Sequence, residues 1–342
     1  MVTACSQNLT DPGAASSSST ASSVGAPATG LVRVADGVLV EYRDWGGDGP
    51  AIVLLTGLGN TAAVFDDLAP RIVAGGHRVI GLTRRGFPPS TVTDDGYDVA
   101  TRVADDVAAM AALGIDRAVL VGHSIAGDEL TGIARARPDV VAGLVYLDAA
   151  LDRSDPNTLA LDECFGRVPS IDQVVDLSAD IVEVDGELGL VDLDAAARLQ
   201  RNQLGGPLPT SELRRQFAVA TGGALVPLEP GGALAALEAG TEAYSPEYRG
   251  ISVPLTALYG DDADPTVAFP VAALATPEVV ASLTECAEQV ASAKRTAGAD
   301  RVREQVPGAV VETVRGGPHY FFLQQPDLTA ETILDTAERA GR

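Results

Sequence analysis

The chain has 342 residues, and its 47 acidic side chains against 24 lysines and arginines give a formal net charge of −23 at pH 7. This excess of negative charge excludes the basic surface with which proteins bind nucleic acids. With 46% hydrophobic residues the chain can bury a sizeable core, which excludes disorder of the whole chain and suits two domains or one large α/β domain with an insertion.

Residues that bind metals and phosphates are scarce. There are three histidines, three cysteines and a single lysine, Lys294. No C-x-x-C or H-x-x-x-H spacing of a zinc site occurs, and no glycine-rich phosphate loop precedes the lysine. We therefore expect neither a metal ion nor an organic cofactor.

Residues 1–29 are predicted to form a disordered tether, because a serine-rich run from Ser16 to Ser23 carries no periodic apolar pattern. VTAC at residues 2–5 resembles the lipobox of bacterial lipoproteins, whose cysteine carries the lipid. The resemblance implies that Cys5 is lipidated and anchors an extracytoplasmic protein to the cell surface, with a cytoplasmic protein as the alternative. A lipobox follows a basic segment and an apolar run, so a start at Met1 predicts a truncated or misassigned N-terminus.

Two cysteines remain if Cys5 carries a lipid. Cys164 and Cys286 would then form an even pair, which an oxidising compartment can join in a disulfide. Two isolated buried thiols are the alternative.

From residue 30 onward, short apolar runs alternate with helical patterns. The dipeptide Asp36-Gly37 between two alternating runs predicts an antiparallel hairpin. Further strands are predicted at 51–56, 77–83, 117–123, 142–148, 252–260 and 309–314, and helices at 98–114, at 277–305 and from about 328. Alternating strands and helices predict an α/β fold with a buried, mostly parallel sheet.

The pattern lapses between residues 149 and 250, which we interpret as a cap inserted between core segments 30–148 and 251–342. From Val168 to Ala197 the cap has eight acidic residues and no basic one. This run indicates a solvated face. Alternatively, a negative cap repels anionic substrates and favours neutral, apolar esters or lactones.

The first of two glycine motifs is GLGNTA at residues 57–62, which fits the dinucleotide-binding pattern G-x-G-x-x-[GA] after a strand. The next predicted strand is followed by Arg84 and Arg85, which suit the 2′-phosphate of NADP. Against this, a hairpin precedes the strand, and no Tyr-x-x-x-Lys pair exists. An NADP-binding oxidoreductase stays as an alternative function.

The second motif is GHSIAG at residues 122–127, placed where an apolar strand ends and a helix begins. It reads as a nucleophile elbow, a sharp turn that holds a serine hydroxyl clear of the sheet. The helix N-terminus then faces the oxyanion that develops during acyl transfer. Small residues at Gly122 and Ala126 allow so tight a turn, so we predict that Ser124 is a nucleophile.

A nucleophilic serine needs an imidazole that takes its proton and later protonates the leaving group. His77 begins a predicted strand, whereas ligand sites of parallel sheets lie at the carboxyl ends of the strands. His123 is adjacent to Ser124 and should project away from it. His319 follows the last predicted strand, so elimination makes it the base.

With these motifs the chain resembles the α/β-hydrolase family from about residue 30 to the C-terminus, apart from its divergent middle. TGLG at 56–59 stands where the family has an oxyanion-hole loop, and RRGFPPS at 84–90 resembles the family's Arg-Gly-x-Gly-x-Ser loop. GHSIAG supplies the nucleophile and GGPHYFF at 316–322 supplies the last-strand histidine. The resemblance implies an eight-stranded, mostly parallel sheet flanked by helices, with a mainly helical cap inserted after the sixth strand.

The resemblance leaves two candidates for the acid of a Ser-His-Asp triad. Asp264 follows the strand after which the family most often places its acid, but the Gly-x-x-Asp register is off by one residue. Asp148 ends the sixth predicted strand, 24 residues after Ser124, at the family's alternative position. We predict Asp148, with Asp264 as the alternative acid.

These residues predict acyl transfer to water. Ser124 attacks a carbonyl, His319 moves the proton, and the backbone N–H groups of Leu58 and Ile125, supported by Gly57, bind the oxyanion. The predicted function is hydrolysis of a neutral, apolar carboxylic ester or lactone through an acyl-enzyme. A non-catalytic protein that binds a small ligand on the same fold is the remaining alternative.

Overall fold

A computed structural model describes residues 25–155, 176–184, 187–220, 222–228, 231–261, 264–268, 270–286 and 292–342. Cys5 with its lipobox-like motif, Cys164 and most of the predicted tether lie outside these residues. Lipidation and the Cys164–Cys286 disulfide therefore stay predictions, as do the domain boundaries. None of the described helices is long and apolar enough to span a bilayer.

The described residues contain twelve strands: β1 (Ala28–Ala35), β2 (Val38–Gly46), β3 (Ala51–Leu55), β4 (Arg78–Thr83), β5 (Ala118–His123), β6 (Val141–Leu147), β7 (Ile181–Val184), β8 (Glu187–Leu190), β9 (Phe217–Val219), β10 (Leu225–Pro227), β11 (Leu255–Tyr259) and β12 (Val310–Thr313). Eight of them form one sheet in the order β1-β2-β4-β3-β5-β6-β11-β12. The β1–β2 hairpin is antiparallel and pairs antiparallel with β4, and the other six strands run parallel. The predicted α/β-hydrolase fold is confirmed.

The described helices are α1 (Ala69–Ala74), α2 (Val99–Ala112), α3 (Ala126–Ala136), α4 (Leu193–Leu204), α5 (Thr210–Gln216), α6 (Gly232–Glu242), α7 (Pro265–Ala268), α8 (Pro277–Cys286), α9 (Ser292–Gln305), α10 (Phe321–Gln324) and α11 (Pro326–Ala340). Asp98 caps α2, because its carboxylate accepts hydrogen bonds from the N–H (2.9 Å) and the hydroxyl (2.7 Å) of Thr101. The single helix predicted over 277–305 is described as α8 and α9.

The central strands are buried on both faces, as expected of a parallel sheet covered by helices. On β3, Val53 and Leu55 pack into one apolar cluster with residues of α2, α3 and α9. Ile52 and Leu54 point to the opposite face and pack with residues of α1 and α11. Helices therefore cover both faces of the sheet, and the loops that follow the parallel strands lie at its carboxyl edge.

The segment between β6 and β11, here called the insertion, joins the core after the sixth strand. Its described part holds α4, α5 and α6 and a four-stranded antiparallel sheet in the order β7-β8-β10-β9. The sequence interpretation of a mainly helical cap missed this small sheet. Its strands are only three or four residues long, too short for alternation of apolar and polar residues to be recognised.

Helix α5 ties the insertion to the core loop that follows β3. The fully buried carboxylate of Glu212 accepts hydrogen bonds from the backbone N–H of Thr61 (3.1 Å), the Thr61 hydroxyl and the Asn60 amide (3.2 Å). One side chain of the insertion thereby satisfies three donors of the loop that carries GLGNTA.

Two neighbouring residues of α5 extend this attachment. The Arg215 guanidinium donates to both carboxylate oxygens of Glu41, at 2.8 and 2.6 Å, and the Ser211 hydroxyl donates to Asp66. Bidentate guanidinium–carboxylate pairs fix geometry as well as adding energy. The insertion is therefore held in register above the carboxyl edge of the sheet.

Replacing Glu212 with Ala would leave the Thr61 N–H and the Asn60 amide buried without their acceptor. We expect the free energy of unfolding to fall by about 1–3 kcal/mol, the usual cost of such groups. Thermal or urea denaturation measures the change, and Glu238→Ala, at an exposed carboxylate of α6, is the matched control. Equal stability of the two variants would contradict this role of Glu212.

Candidate active site

Ser124 lies in the turn between β5 and α3. Its backbone is left-handed, with φ of 55°, a conformation that costs energy in any residue other than glycine. The Ser124 N–H donates to the carbonyl oxygen of Leu147 at 3.1 Å, which ties the turn to β6. A Cβ at Gly127 would lie 2.0 Å from the carbonyl oxygen of Ala149, so this glycine is required by close packing.

His319 lies in the loop between β12 and α10, and its ring contacts the two other predicted triad residues. Its Nε2 is 3.0 Å from the Ser124 hydroxyl, and its Nδ1 is 2.6 Å from Oδ2 of Asp148. The structure thus brings Ser124, His319 and Asp148 into one hydrogen-bonded chain. The side chain of His319 is 36% exposed, so a ligand can reach it.

Asp148 follows the last residue of β6 and is completely buried. Its φ is 48°, and among the described residues Ser124 and Asp148 alone combine a side chain with a positive φ. Strained backbone of this kind concentrates at functional sites. The Asp148 N–H donates to the carbonyl oxygen of Leu258 at 2.7 Å, which holds the residue against β11.

Four hydrogen bonds from described residues reach the Asp148 carboxylate. Besides His319, the backbone N–H of Gly260 donates to Oδ1 (3.1 Å), and Arg295 donates from Nε to Oδ1 (2.8 Å) and from Nη2 to Oδ2 (2.7 Å). Burial alone would raise the pKa of the carboxyl, but the Arg295 charge and the hydrogen bonds from His319 and Arg295 hold that pKa well below its ordinary value. Asp148 is therefore a stable anion next to the imidazole.

Asp264, the alternative acid, lies elsewhere. It is exposed, and its carboxylate accepts hydrogen bonds from the N–H (2.8 Å) and hydroxyl (2.7 Å) of Thr266 at the start of α7. The structure brings Asp148 to His319, and gives Asp264 a local capping role.

The two other histidines are placed as the sequence suggested. His77 precedes β4, at the edge of the sheet away from Ser124. His123 is fully buried, and its Nε2 is 3.1 Å from the carbonyl oxygen of His319. Because a carbonyl only accepts, Nε2 carries the proton. Burial, together with the nearby His319, lowers the pKa of His123 well below its ordinary value, so this ring stays neutral and supports the His319 loop.

The backbone N–H groups of Leu58 and Ile125 border the turn of Ser124. Neither has an acceptor among the described residues, as expected of groups that receive an oxyanion. A Cβ on Gly57 would lie 2.5 Å from Nδ1 of His123 and 3.4 Å from Cβ of Ser124. Only glycine allows the loop after β3 to approach the turn this closely.

The Arg84 side chain stabilises the same loop after β3 through hydrogen bonds to its carbonyl oxygens. Its guanidinium donates to the carbonyl oxygens of Thr56 (3.0 Å) and Gly57 (3.4 Å), and pairs with both carboxylate oxygens of Glu129 on α3, each at 2.7 Å. Arg84, its partner Glu129 and the two loop residues are all buried. Arg84 thereby links the candidate oxyanion loop to the helix that follows Ser124.

A model of the alpha/beta hydrolase family matches residues 52–332. The chain belongs to the α/β-hydrolase family. It is 36% identical over 133 residues to a non-heme chloroperoxidase of Streptomyces lividans, and 39% identical over 123 residues to the bifunctional esterase/perhydrolase DCH of Acinetobacter calcoaceticus. These matches cover 37% and 35% of this chain, and the chain spans about half the length of the two relatives, 48% and 44%.

Among solved structures, an E-2-(acetamidomethylene)succinate hydrolase superposes with a TM-score of 0.63 at 20% identity. The superposition covers 91% of this chain and 99% of that one. At this identity the likeness shows the shared α/β-hydrolase fold alone.

The surroundings of the GLGNTA motif do not match the nucleotide interpretation. The motif is followed by a four-residue 3-10 turn, Ala62–Phe65, which offers no full helix N-terminus to a pyrophosphate. Arg84 pairs with Glu129, and Arg85 pairs with Asp105 at 2.5 and 2.7 Å. Both guanidinium groups suggested for a 2′-phosphate are buried and engaged.

A cavity of about 590 Å³ lies between the insertion and the core, beside the candidate site. The core contributes Leu58, which belongs to the candidate oxyanion loop, and Tyr320, which follows His319. The insertion contributes mostly apolar side chains, among them Leu188, Leu199, Leu204, Phe217 and Leu228. The volume is that of a typical small-molecule site.

Replacing Gly57 with Ala would drive its Cβ into His123 and push the Leu58 N–H out of place. We expect kcat of the predicted ester hydrolysis to fall by about 10²-fold or more, the effect of losing one oxyanion donor. Steady-state kinetics measures this, with Gly232→Ala as control, since a Cβ there meets no atom within 4 Å. Gly57→Ala with the kcat of the control would refute the assignment of this loop.

The lowered pKa of Asp148 makes stability depend on pH. A carboxyl with a depressed folded-state pKa contributes stability above its ordinary pKa, and the contribution is lost as pH falls toward the folded value. Asp148→Asn removes this contribution and breaks a buried ion pair, so at pH 7 we expect a loss of about 3 kcal/mol or more. In urea unfolding the gap between wild type and variant should stay constant above about pH 5 and narrow below about pH 4. A gap that is independent of pH down to pH 3 would contradict the ion pair.

Proposed function

We propose that this α/β-hydrolase is a serine hydrolase that cleaves a neutral, apolar carboxylic ester or lactone. The observation that carries the proposal is the continuous chain of hydrogen bonds from the Ser124 hydroxyl through both ring nitrogens of His319 to the buried Asp148 carboxylate. The esterase named among the relatives supports the ester class.

In the proposed mechanism, Nε2 of His319 takes the hydroxyl proton as Ser124 Oγ attacks the carbonyl carbon. The oxyanion that forms is bound by the N–H groups of Leu58 and Ile125, and the proton passes from His319 to the leaving alcohol oxygen. Water then attacks the acyl-enzyme by the same route, releasing the acid and restoring Ser124. Asp148 keeps Nδ1 of His319 protonated and stabilises the imidazolium in both steps.

The neutral, apolar preference is supported by the cavity. Its walls are mainly aliphatic, and the polar side chains among its lining residues include the neutral amides of Gln200, Gln203 and Gln216. Arg215 also lines it, but its guanidinium is engaged by Glu41. Among the described lining residues an anionic substrate would lose its hydration without meeting an unpaired cation, which is costly.

A panel of p-nitrophenyl esters tests the proposal. We expect kcat/KM to rise from acetate to hexanoate and to be at least 10-fold lower for the anionic hemisuccinate than for the butyrate, a neutral ester of similar length. For lactone substrates, hydrolysis is measured by the acid that it releases. Equal or faster turnover of the hemisuccinate would refute the neutral preference.

Ser124→Ala should lower ester turnover by about 10⁵-fold or more, because the nucleophile is lost. Ser178→Ala, at an exposed serine of the insertion, is the matched control and should keep wild-type turnover. Undiminished turnover by Ser124→Ala would overturn the proposal. A wild-type protein that binds these esters without cleaving them would favour the non-catalytic alternative, and stabilisation by NADP would favour the nucleotide alternative.

A further inference from the structure

Arg295 is a residue that the sequence motifs did not single out, and it contacts the candidate acid more extensively than His319 does. Its Nε and Nη2 donate to different oxygens of Asp148, at 2.8 and 2.7 Å. The planar guanidinium therefore fixes the plane of the carboxylate, which a single hydrogen bond cannot do. The oxygen that Nη2 contacts, Oδ2, is the same one that lies 2.6 Å from Nδ1 of His319.

Helix α9, which carries Arg295, is itself braced against the loop that follows Asp148. A Cβ on Gly298 would lie 2.5 Å from the carbonyl oxygen of Ala150, so the helix backbone packs directly on that loop. Arg301 pairs with Asp152 at 2.6 Å. Residues 295, 298 and 301 lie three apart, hence on one face of the helix. Three successive contacts hold α9, and with it the guanidinium, in a fixed position relative to Asp148.

The place of Asp148 in the fold explains why such a brace is needed. The carboxylate is completely buried, and a buried carboxylate without a cation would be strongly driven to take up a proton. Without Arg295, the described partners of Oδ1 reduce to the Gly260 N–H, and the partner of Oδ2 reduces to His319. The carboxylate could then rotate about its terminal bond, and Oδ2 would no longer be held toward Nδ1.

We propose that Arg295 is a positioning residue of the triad, which acts through Asp148 by holding Oδ2 against Nδ1 of His319. The proposal rests on the proposed serine-hydrolase function. Arg295 is not among the described residues that line the 590 Å³ cavity, so its removal should lower kcat and leave substrate binding in that cavity unchanged.

Steady-state kinetics on three variants tests the proposal. For Arg295→Ala we expect kcat to fall 10- to 100-fold with KM within 2-fold of wild type, because orientation of the imidazole is lost and the cavity is intact. Arg295→Lys should retain an intermediate kcat, since it keeps the charge but not the bidentate geometry. Arg303→Ala is the matched control: it removes an exposed arginine of the same helix, whose ion pair with Asp300 (3.0 Å) does not involve Asp148 or the loop that follows it, and it should keep kcat within 2-fold.

Rescue by added guanidinium separates positioning from a general structural role. A cavity of about 230 Å³, lined by Arg295, Thr296 and Arg303, gives access to the guanidinium position from outside. Millimolar guanidinium chloride, far below denaturing concentrations, should raise kcat of Arg295→Ala several-fold over equal sodium chloride. It should not raise kcat of Asp148→Asn. An unchanged kcat in Arg295→Ala, or a lowered kcat that guanidinium does not raise, would overturn the proposal.

These experiments distinguish failure of the positioning role from failure of the proposed function. Turnover that depends on Ser124 but not on Arg295 would overturn the positioning role and leave the serine hydrolase in place. Turnover that does not depend on Ser124 would overturn the function itself. In an Asp148→Asn background, Arg295→Ala should lower kcat less than 2-fold further, because both changes remove the same interaction; a full 10-fold further loss would contradict action through Asp148.

Discussion

The Asp148 carboxylate is the point at which separate parts of the fold meet. It lies after β6, and it accepts hydrogen bonds from the Gly260 N–H after β11, from Arg295 on α9 and from His319 after β12. A completely buried carboxylate is tolerated only when its lone pairs are satisfied and its charge is balanced. The parallel sheet supplies this by bringing three strand ends to one edge. The order β6-β11-β12 therefore determines which loops can contribute to the site, and the anion in turn fixes the imidazole on which the proposed chemistry depends.

The sheet also explains how two strained residues persist. Ser124 and Asp148 follow neighbouring strands, and both have a left-handed backbone. Each is held by a hydrogen bond from its N–H to the adjacent strand, Ser124 to Leu147 and Asp148 to Leu258. Conformations that cost about 1–3 kcal/mol survive when the surrounding structure over-determines them. On the other side of Ser124, Gly57 allows the candidate oxyanion loop after β3 to approach, and Arg84 connects that loop to α3. The insertion reaches the same loop through Glu212, so the core site and the cavity above it form one connected structure.

Much of this arrangement was predictable, because local rules dominate it. The Asp36-Gly37 hairpin, the alternation of strands and helices and the strand-to-helix turn at Ser124 all carry short-range signals. His319 followed from its position after the last strand. The choice between Asp148 and Asp264 depends on long-range contacts, so spacing alone left both open. Arg295 was missed because it lies in a helix rich in charged residues, which reads as a solvated face. The small sheet of the insertion was missed because its strands are short, although the Asp-Gly dipeptide at 185–186 is the same turn signal that located the first hairpin.

The central claim is that His319 and Asp148 activate Ser124 as a nucleophile. The most direct test is covalent labelling of the intact protein with a fluorophosphonate, with the modified residue located by peptide mass spectrometry. The account predicts a single rapid adduct on Ser124, and labelling at least 100-fold slower in a His319→Ala variant. An unlabelled protein, an adduct on another serine, or equally fast labelling of the His319→Ala variant would contradict it.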